Sequence, residues 1–337
     1  MKKQILILAL LLPLLAGCTA KQPEPLPCTP GEAQRLVVYT SHKEEVYTPI
    51  IREFEERTGI WVDVVSGGTN ELLQRIQQEA DAPKADVMFG GGVESLESYQ
   101  DCFSPYICRE AAGISEQFQA ESGYWTPFSA LPVVLVYNTK LVAPESLTSW
   151  KDLESPAFRG KIAFADPQIS GSSYTALVTR LQTGNGMEDS LTRLCTALDG
   201  KQLDSSGAVL TAVADGSALV GITLEETALQ HIAAGEDIAL VYPSDGTSCV
   251  PDGSALVKGA PHGDNARLFL DFTVSTDVQS MVGQRFCRRT VRADIPADPS
   301  LPPLSTLNMV SYDVEWASQN RDRLLSEWSF LLGEVPL

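Results

Sequence analysis

The residues from Ile169 to Thr175, ISGSSYT, put serine hydroxyls and backbone N–H groups where a chain would turn into a helix. KIAF, Lys161 to Phe164, precedes them with strand character, and ALVTRLQ from Ala176 follows with helical character. The first turn of a helix has unpaired N–H groups and about half a positive charge, so a carboxylate or phosphate is stabilised there. A plainer reading of the same stretch is that Ser172 or Ser173 only caps the helix.

The elements that would position such a site alternate from Leu36 onward. LVVYT reads as a strand, and SHKEEVYTPIIREFEERTG as a helix with Val46, Ile50 and Phe54 on one face, Pro49 as a kink or true start, and Gly59 as its stop. IWVDVV is the next strand, followed by SGGTNELLQRIQQEA, a glycine turn and an amphipathic helix. DVMF is a third strand, ending at Gly90 to Gly92 before VESLESYQ. Three strands thus end in loops rich in Gly, Ser or Thr: Thr40 to His42, Gly67 to Thr69 and Gly90 to Gly92. Singly, each glycine cluster reads as a tight turn. Together they argue for an α/β architecture of mainly parallel sheets, whose ligands bind outside the carboxyl ends of the strands.

Farther on, LPVVLVYN reads as a long buried strand, and the segment from Thr192 to Thr223 as strand, helix and strand. LEETALQHIAAG is a helix, DIALVYP a strand, SALVKG a returning strand and NARLFLDFTVS a helix. Trp316, Leu324, Leu325, Trp328 and Leu331 recur at helical spacing and read as core contacts.

The first eighteen residues hold Lys2 and Lys3, an apolar run too short to span a bilayer, and LAGC ending at Cys18. This is a signal peptide, and its end resembles the lipobox of bacterial lipoproteins, which implies lipidation of Cys18. The stretch 19–34, with Pro23, Pro25, Pro27 and Pro30, reads as an extended tether. About 300 residues remain, enough for two lobes. The chain carries 43 acidic against 25 basic residues, a formal charge of −18, which argues against nucleic acid. It does not argue against one small anion held by local donors, because distant surface charge is screened.

Beyond Cys18 there are Cys28, Cys102, Cys108, Cys195, Cys249 and Cys287, an even set in an exported chain. Cys102 with Cys108, bracketing Pro105, is the expected disulfide. Metal ligation is the weaker reading, since no CxxC occurs and His42, His231 and His262 lie far apart. Catalysis finds little support. SGSSYT lacks the last glycine of a nucleophile elbow, and neither a Cys-x5-Arg loop nor GxxxxGK[ST] occurs. No enzyme activity and no cofactor are expected.

The runs VVYTSH, SGGTNELLQRI, DVMFGGGVESL, PQISGSSYT, VPDGSALVKGAPH and RRTVRAD, in this order, resemble the bacterial ABC-transporter substrate-binding proteins related to the ferric-ion-binding proteins. The similarity spans Leu36 to roughly Trp328. It implies a two-lobed periplasmic-binding-protein-like α/β fold of type II, mainly parallel sheets flanked by helices, with the cleft between the lobes. Residues 35–130 plus about 255–305 would form lobe 1, and 131–254 lobe 2. About 306–337 would be a helical segment packing on both, with crossings near Ser129 to Val133 and Asp252 to Ala255. The resemblance also implies an extracytoplasmic, lipid-anchored monomer that delivers its ligand to an ABC permease, or a sensor subunit with the same cleft.

Members that bind ferric iron use adjacent tyrosines. Here Tyr242 stands between Val241 and Pro243, so an iron site would be left with His42 and Tyr242, a poor set. SGSSYT and PSDGTSCVPDGSALVKGAPH look more like the branch that binds phosphorylated organic molecules. That likeness assigns the phosphate to Ser41, His42, Gly68, Thr69, Ser172 and Ser173. It assigns the organic half to Asp204, Ser205, Ser206, Glu225 and Glu226. Glu225 and Glu226 are read as well by a plain preference of acidic residues for a helix start.

Overall fold

A computed structural model describes residues 30–120, 122–183 and 187–333. The leader, Cys18, Cys28 and most of the tether lie outside the described residues. The first half runs β1 (Arg35–Thr40), α1 (Glu44–Thr58), β2 (Trp61–Ser66), α2 (Thr69–Gln78), β3 (Val87–Gly92), α3 (Val93–Ser98) and β4 (Phe103–Ser104). The 13-residue β5 (Thr126–Asn138) follows, then β6 (Ile162–Ala163), α4 (Gly171–Gln182), α5 (Met187–Leu198), α6 (Ser206–Ala214), β7 (Val220–Leu224) and α7 (Glu225–Ala233). The chain ends with β8 (Ile238–Val241), β9 (Cys249–Val257), α8 (Gly263–Thr273), α9 (Thr276–Phe286), β10 (Arg289–Thr290), α10 (Val314–Gln319) and α11 (Arg321–Leu332).

The sheet order is β2-β1-β3-β9-β5-β7-β6, with β4 on β9 and β8 and β10 on β5. Parallel pairing holds where the expected loops need it, in β2-β1-β3 and β6-β7. The sheet as a whole is mixed, because β5 and β9 pair antiparallel with their neighbours. β5 is buried along its whole length and changes partner midway: Thr126 to Pro132 pair with β9, and Val133 to Asn138 with β7 or β8. Ser129 lies opposite Asp252 at this crossing.

Period-2 alternation assigns side chains to the two faces. Leu36 and Val38 pack with Ile50, Phe54 and Phe269, whereas Tyr39 and Met88 pack with Leu72, Leu73 and Leu96. Beyond the crossing, Val133 and Leu135 pack with Trp150, Phe164 and Trp328, and Val134 and Val136 with Val209 and Val213. α10 lies on α3 and α11 on α5, so the chain end contacts both halves.

Three expectations change. Pro49 does not mark the start of α1: it lies inside the helix beyond the first turn, where its missing N–H leaves the Glu45 carbonyl without its usual donor, while Gly59 ends the helix as expected, in the left-handed conformation at φ 70°. The strand expected early in the 192–223 segment is absent: α5 occupies that stretch, followed by a single bridge between Ala165 and Leu203. Cys102 and Cys108 are free thiols. Cys102 packs beside the cluster of Leu72 and Phe103, and Cys108 lies in another with Ile114 and Val291, so the segment between them separates the two sulfurs. Cys195, Cys249 and Cys287 are free as well.

Asp86 precedes β3, is fully buried, and ties β1 to the start of α8. Its carboxylate accepts from Val37 N at 2.7 Å, His262 N at 2.6 Å and His262 Nδ1 at 2.8 Å. Burial acts to lower the His262 pKa, but the hydrogen bond and charge of Asp86, helped by Glu32, raise it above 6.5. A raised folded pKa means that this contribution to stability is complete below about pH 6.5 and is lost as pH rises through the folded value. Asp86→Ala should cost about 3 kcal/mol in chemical denaturation and flatten the pH dependence of stability above neutrality. An unchanged midpoint and pH profile would show that the buried carboxylate is not needed.

Candidate functional site

A cavity of about 320 Å³ opens where the strand ends meet. Its walls are loops that each open a helix: Ser41 to Lys43 before α1, Gly68 and Thr69 at α2, Ser170 to Ser172 at α4, Asp204 to Ser206 at α6, and Glu226 with Thr227 in α7. The floor is Val250 to Asp252 of β9 with Arg288, between α9 and β10.

Local chemistry explains each loop. Thr40 Oγ1 donates to Phe89 O at 2.8 Å and accepts from His42 N at 3.1 Å, fixing the turn after β1. Gly90 and Gly91 have φ of 103° and 102°, which a side chain rarely adopts. A Cβ on Gly90 would meet Ser41 Oγ at 2.9 Å, and one on Gly91 would meet Thr69 Cγ2 at 2.8 Å. The glycines therefore let β3 pass directly beneath the polar rim.

At α4 the cap is Ser170, whose Oγ accepts from Ser173 N at 3.3 Å and lies 3.0 Å from Ser172 Oγ. Ser172 lines the cavity, whereas Ser173 is buried and does not. The N-termini of α2 and α4 abut: an added Cβ on Gly171 would lie 3.0 Å from Thr69 Oγ1, and Asn70 Nδ2 donates to Gln168 O. Two positive helix ends thus share one small space.

The floor is ionic but internally paired. Asp252 Oδ1 accepts from Ser129 N at 2.8 Å and Ser129 Oγ at 2.7 Å. Arg288 Nη1 donates to Asp252 Oδ2 at 2.7 Å and Nη2 to Glu226 Oε1 at 3.2 Å. Burial raises the Asp252 pKa even against Arg288 and Ser129. Burial also works to lower that of Arg288, but Glu226 and Asp252 outweigh it. His42 stands against Phe89 and Phe128, ring centroids 4.4 and 5.1 Å away. Burial first, and then the charge of Arg288, hold its pKa well below 6.5, so it is a neutral imidazole at pH 7; its Nε2 has no hydrogen-bond partner. Lys43 makes no ion pair among the described residues.

Of the residues expected for the phosphate, Ser41, His42, Gly68, Thr69 and Ser172 line this one cavity, as do Asp204, Ser205, Ser206 and Glu226 of those expected for the organic half. Ser173 and Glu225 do not. Glu225 is buried against Arg289, with Nη2 and Nε at 2.7 and 2.8 Å, and accepts from Tyr242 Oη. Tyr242, held by Glu225, is absent from the cavity wall that His42 lines. Among the described residues no three His, Cys, Asp or Glu side chains are grouped to hold a metal ion. His231 pairs with Glu236 at 2.7 Å, on α7 and away from the cavity. Arg288, Asp252 and Lys43 were not singled out as site residues by the sequence. The run RRTVRAD and the SHK after β1 contained the signal, since basic residues are scarce in this chain.

The family model described as bacterial extracellular solute-binding protein matches residues 36–285. Iron uptake protein A1 of Synechocystis is 26% identical over 306 residues, 86% of this chain and 84% of that one. A putative 2-aminoethylphosphonate-binding periplasmic protein of Salmonella typhi is 22% identical over 263 residues, 73% of this chain and 74% of that one. Among solved structures, the periplasmic binding protein AfuA of Actinobacillus pleuropneumoniae, with exogenous fructose-6-phosphate bound, superposes with a TM-score of 0.83. It is 24% identical and covers 89% of this chain and 99% of that one. At that identity the likeness shows the fold, a two-lobed periplasmic-binding-protein architecture.

Removing the one cation from the floor should expose its cost. Arg288→Met leaves Asp252 and Glu226 buried without a counter-charge and should lower stability by about 3–5 kcal/mol in urea denaturation. A midpoint within experimental error of the wild type would mean that the two carboxylates find compensation elsewhere.

Proposed function

Because the chain belongs to the family of bacterial extracellular solute-binding proteins, we propose that it captures a small phosphorylated organic anion between two lobes and hands it to an ABC importer in the membrane. The observation that carries this reading is the meeting of the α2 and α4 N-termini in one cavity, edged by Ser41, Thr69 and Ser172. A phosphate has acceptor oxygens for several N–H and O–H donors together, and two helix ends supply both donors and positive potential. Among the described residues lining the cavity, Lys43 is the cation without an ion pair, and it is placed to approach the phosphate. A volume of about 320 Å³ suits a small organic ligand and far exceeds a bare ion. Asp204 and Glu226 on the α6 and α7 side are acceptors for hydroxyl or ammonium groups of the organic half.

The lobes of this reading are residues 35–130 with about 255–305, and 131–254, joined by β5 and β9. Lipidation at Cys18 would hold the protein, a monomer, at the outer face of the cell membrane. It is a binding protein and not an enzyme in this reading, and it uses no cofactor. A ferric site is the second reading, favoured by the iron-uptake relative and by His42 Nδ1 lying 3.7 Å from Asp252 Oδ2 in the cavity. The involvement of Tyr242 with Glu225 weighs against it.

A thermal-shift panel on the mature protein separates the readings. Fructose 6-phosphate, phosphoglycerate, 2-aminoethylphosphonate, inorganic phosphate and ferric citrate are each added in excess. A ligand at a thousand times its Kd stabilises by about 4 kcal/mol. Stabilisation by ferric citrate alone would overturn the phosphate reading. For a ligand found this way, Ser172→Ala should weaken affinity about tenfold, near 1.4 kcal/mol, through loss of one hydrogen bond to a charged group. Ser173→Ala should leave affinity within about twofold. Equal effects from both serines would remove Ser172 from the contact set.

A further inference from the structure

Glu94, the second residue of α3, is fully buried where α3 meets α4. Its Oε1 accepts from Thr175 Oγ1 of α4 at 2.5 Å, while its Oε2 has no hydrogen-bond partner. α3 rests on β3, β9 and α10; α4 follows β6 and packs on β7, and it reaches across to touch β3 as well. The Glu94–Thr175 bond therefore crosses between the halves. It lies just behind the cavity, whose wall includes Gly92 and Thr175 itself. Asn70 makes a second crossing to Gln168 O, and its Oδ1 accepts from Arg321 Nη2 at 2.5 Å.

The surroundings of the carboxyl are only partly compensating. The titratable and charged groups facing it are Tyr174 of α4, Tyr312 ahead of α10 and Arg321 of α11. β9 meets α3 with Gly253 against Val93 and Leu96, and α10 meets it with Ser318 O, which accepts from Ser98 Oγ. Arg321 is held by Asn70, and the Tyr312 hydroxyl, shut away from solvent, has no partner. Burial pushes the Glu94 carboxyl up to about 7, against the Thr175 hydrogen bond and the Arg321 charge. Parting the halves would remove Thr175 and admit water, returning the carboxyl toward its ordinary 4.5.

Resting on the clamp reading above, we propose that closure of the two halves takes up a proton at Glu94, so that mild acid favours capture and mild base favours release. The sign follows from linkage: the closed state holds its proton more tightly than the open one, so lowering pH through the closed-state value drives closure. With the two carboxyl values near 7 and 4.5, affinity should weaken about tenfold between pH 6 and pH 8. Capture at pH 7 should take up about half a proton.

The test is titration calorimetry at pH 7 in two buffers of different ionisation enthalpy, on the wild type and on Glu94→Gln. The probes are fructose 6-phosphate, 2-aminoethylphosphonate and ferric citrate. Ionisation of the ligand itself is common to both proteins and cancels in their difference. The wild type should take up about half a proton more than the variant, and only the wild type should carry the tenfold pH dependence assigned to this carboxyl. Equal proton uptake with intact binding overturns the proposal and leaves the clamp reading standing. Should Glu94→Gln fail to fold, the infrared difference spectrum of the wild type with and without bound probe decides. A gained protonated-carboxyl C=O band supports the proposal, and its absence overturns it. If none of the three probes binds, the capture reading fails and the proton-linked latch with it.

Discussion

Two helix N-termini of like sign meet across a gap of a few ångströms, and much of the molecule serves to keep them there. Each end carries roughly half a positive charge and several unpaired N–H groups, so bringing α2 and α4 together is unfavourable unless something polar intervenes. The protein answers this locally with Ser170 as a cap and with the Asn70 amide spanning to Gln168 O. It answers globally by anchoring α4 from behind. Tyr174 Oη donates to Ala317 O at 2.6 Å, and Gln168 Nε2 to Ser329 Oγ at 2.7 Å. The last two helices therefore belong to the site's support, although none of their side chains lines the cavity. Trp328, fully buried against Phe164, fixes them to the core beneath β6.

The floor obeys a second constraint. Arg288, Asp252 and Glu226 come from three distant parts of the chain and are each almost fully buried. Burying charges costs several kcal/mol apiece unless they are paired and hydrogen-bonded. Ser129, on the strand that crosses between the halves, supplies two of the needed bonds. The network therefore sits at the β5–β9 crossing and joins it to α7 and to the segment between α9 and β10. Because Arg288 is committed to two carboxylates, it contributes less potential to the cavity than a free guanidinium would.

The part of this design that sequence made visible is the part that depends on neighbours along the chain. A strand followed by Gly, Ser or Thr and then an amphipathic helix is written within ten residues, and the loops at Ser41, Gly68 and Ser172 do converge. Choosing between adjacent residues was not possible, because consecutive helix positions differ by about 100° and only packing decides which faces the cleft. Thus Ser172 lines the cavity while Ser173 is buried, and Glu226 lines it while Glu225 joins Arg289 and Tyr242. Arg288 was hidden for the opposite reason. Its partners lie 36, 62 and 159 residues away in sequence, and no local pattern marks them. The thiols of Cys102 and Cys108 followed the same logic, since membership of two different apolar clusters is a property of tertiary packing.

Neutral donors at the rim and a self-paired floor have a consequence for how an anion would be held. His42 is uncharged, Arg288 is committed, and among the described residues Lys43 alone lines the cavity as an unpaired cation, so most of the attraction would come from oriented N–H and O–H dipoles. Dipoles act over a few ångströms and are already arranged, whereas the chain's net charge of −18 is spread over the surface. Surface charges beyond the Debye length of about 8 Å at physiological salt are largely screened. A strongly acidic protein and a site for a small anion are therefore compatible. The same short range ties affinity to geometry: moving α4 away from α2 by one or two ångströms would break most of the donor set together. On the proposed capture reading, closure and binding would in that sense be a single event, as a carrier that must both hold and release its cargo requires.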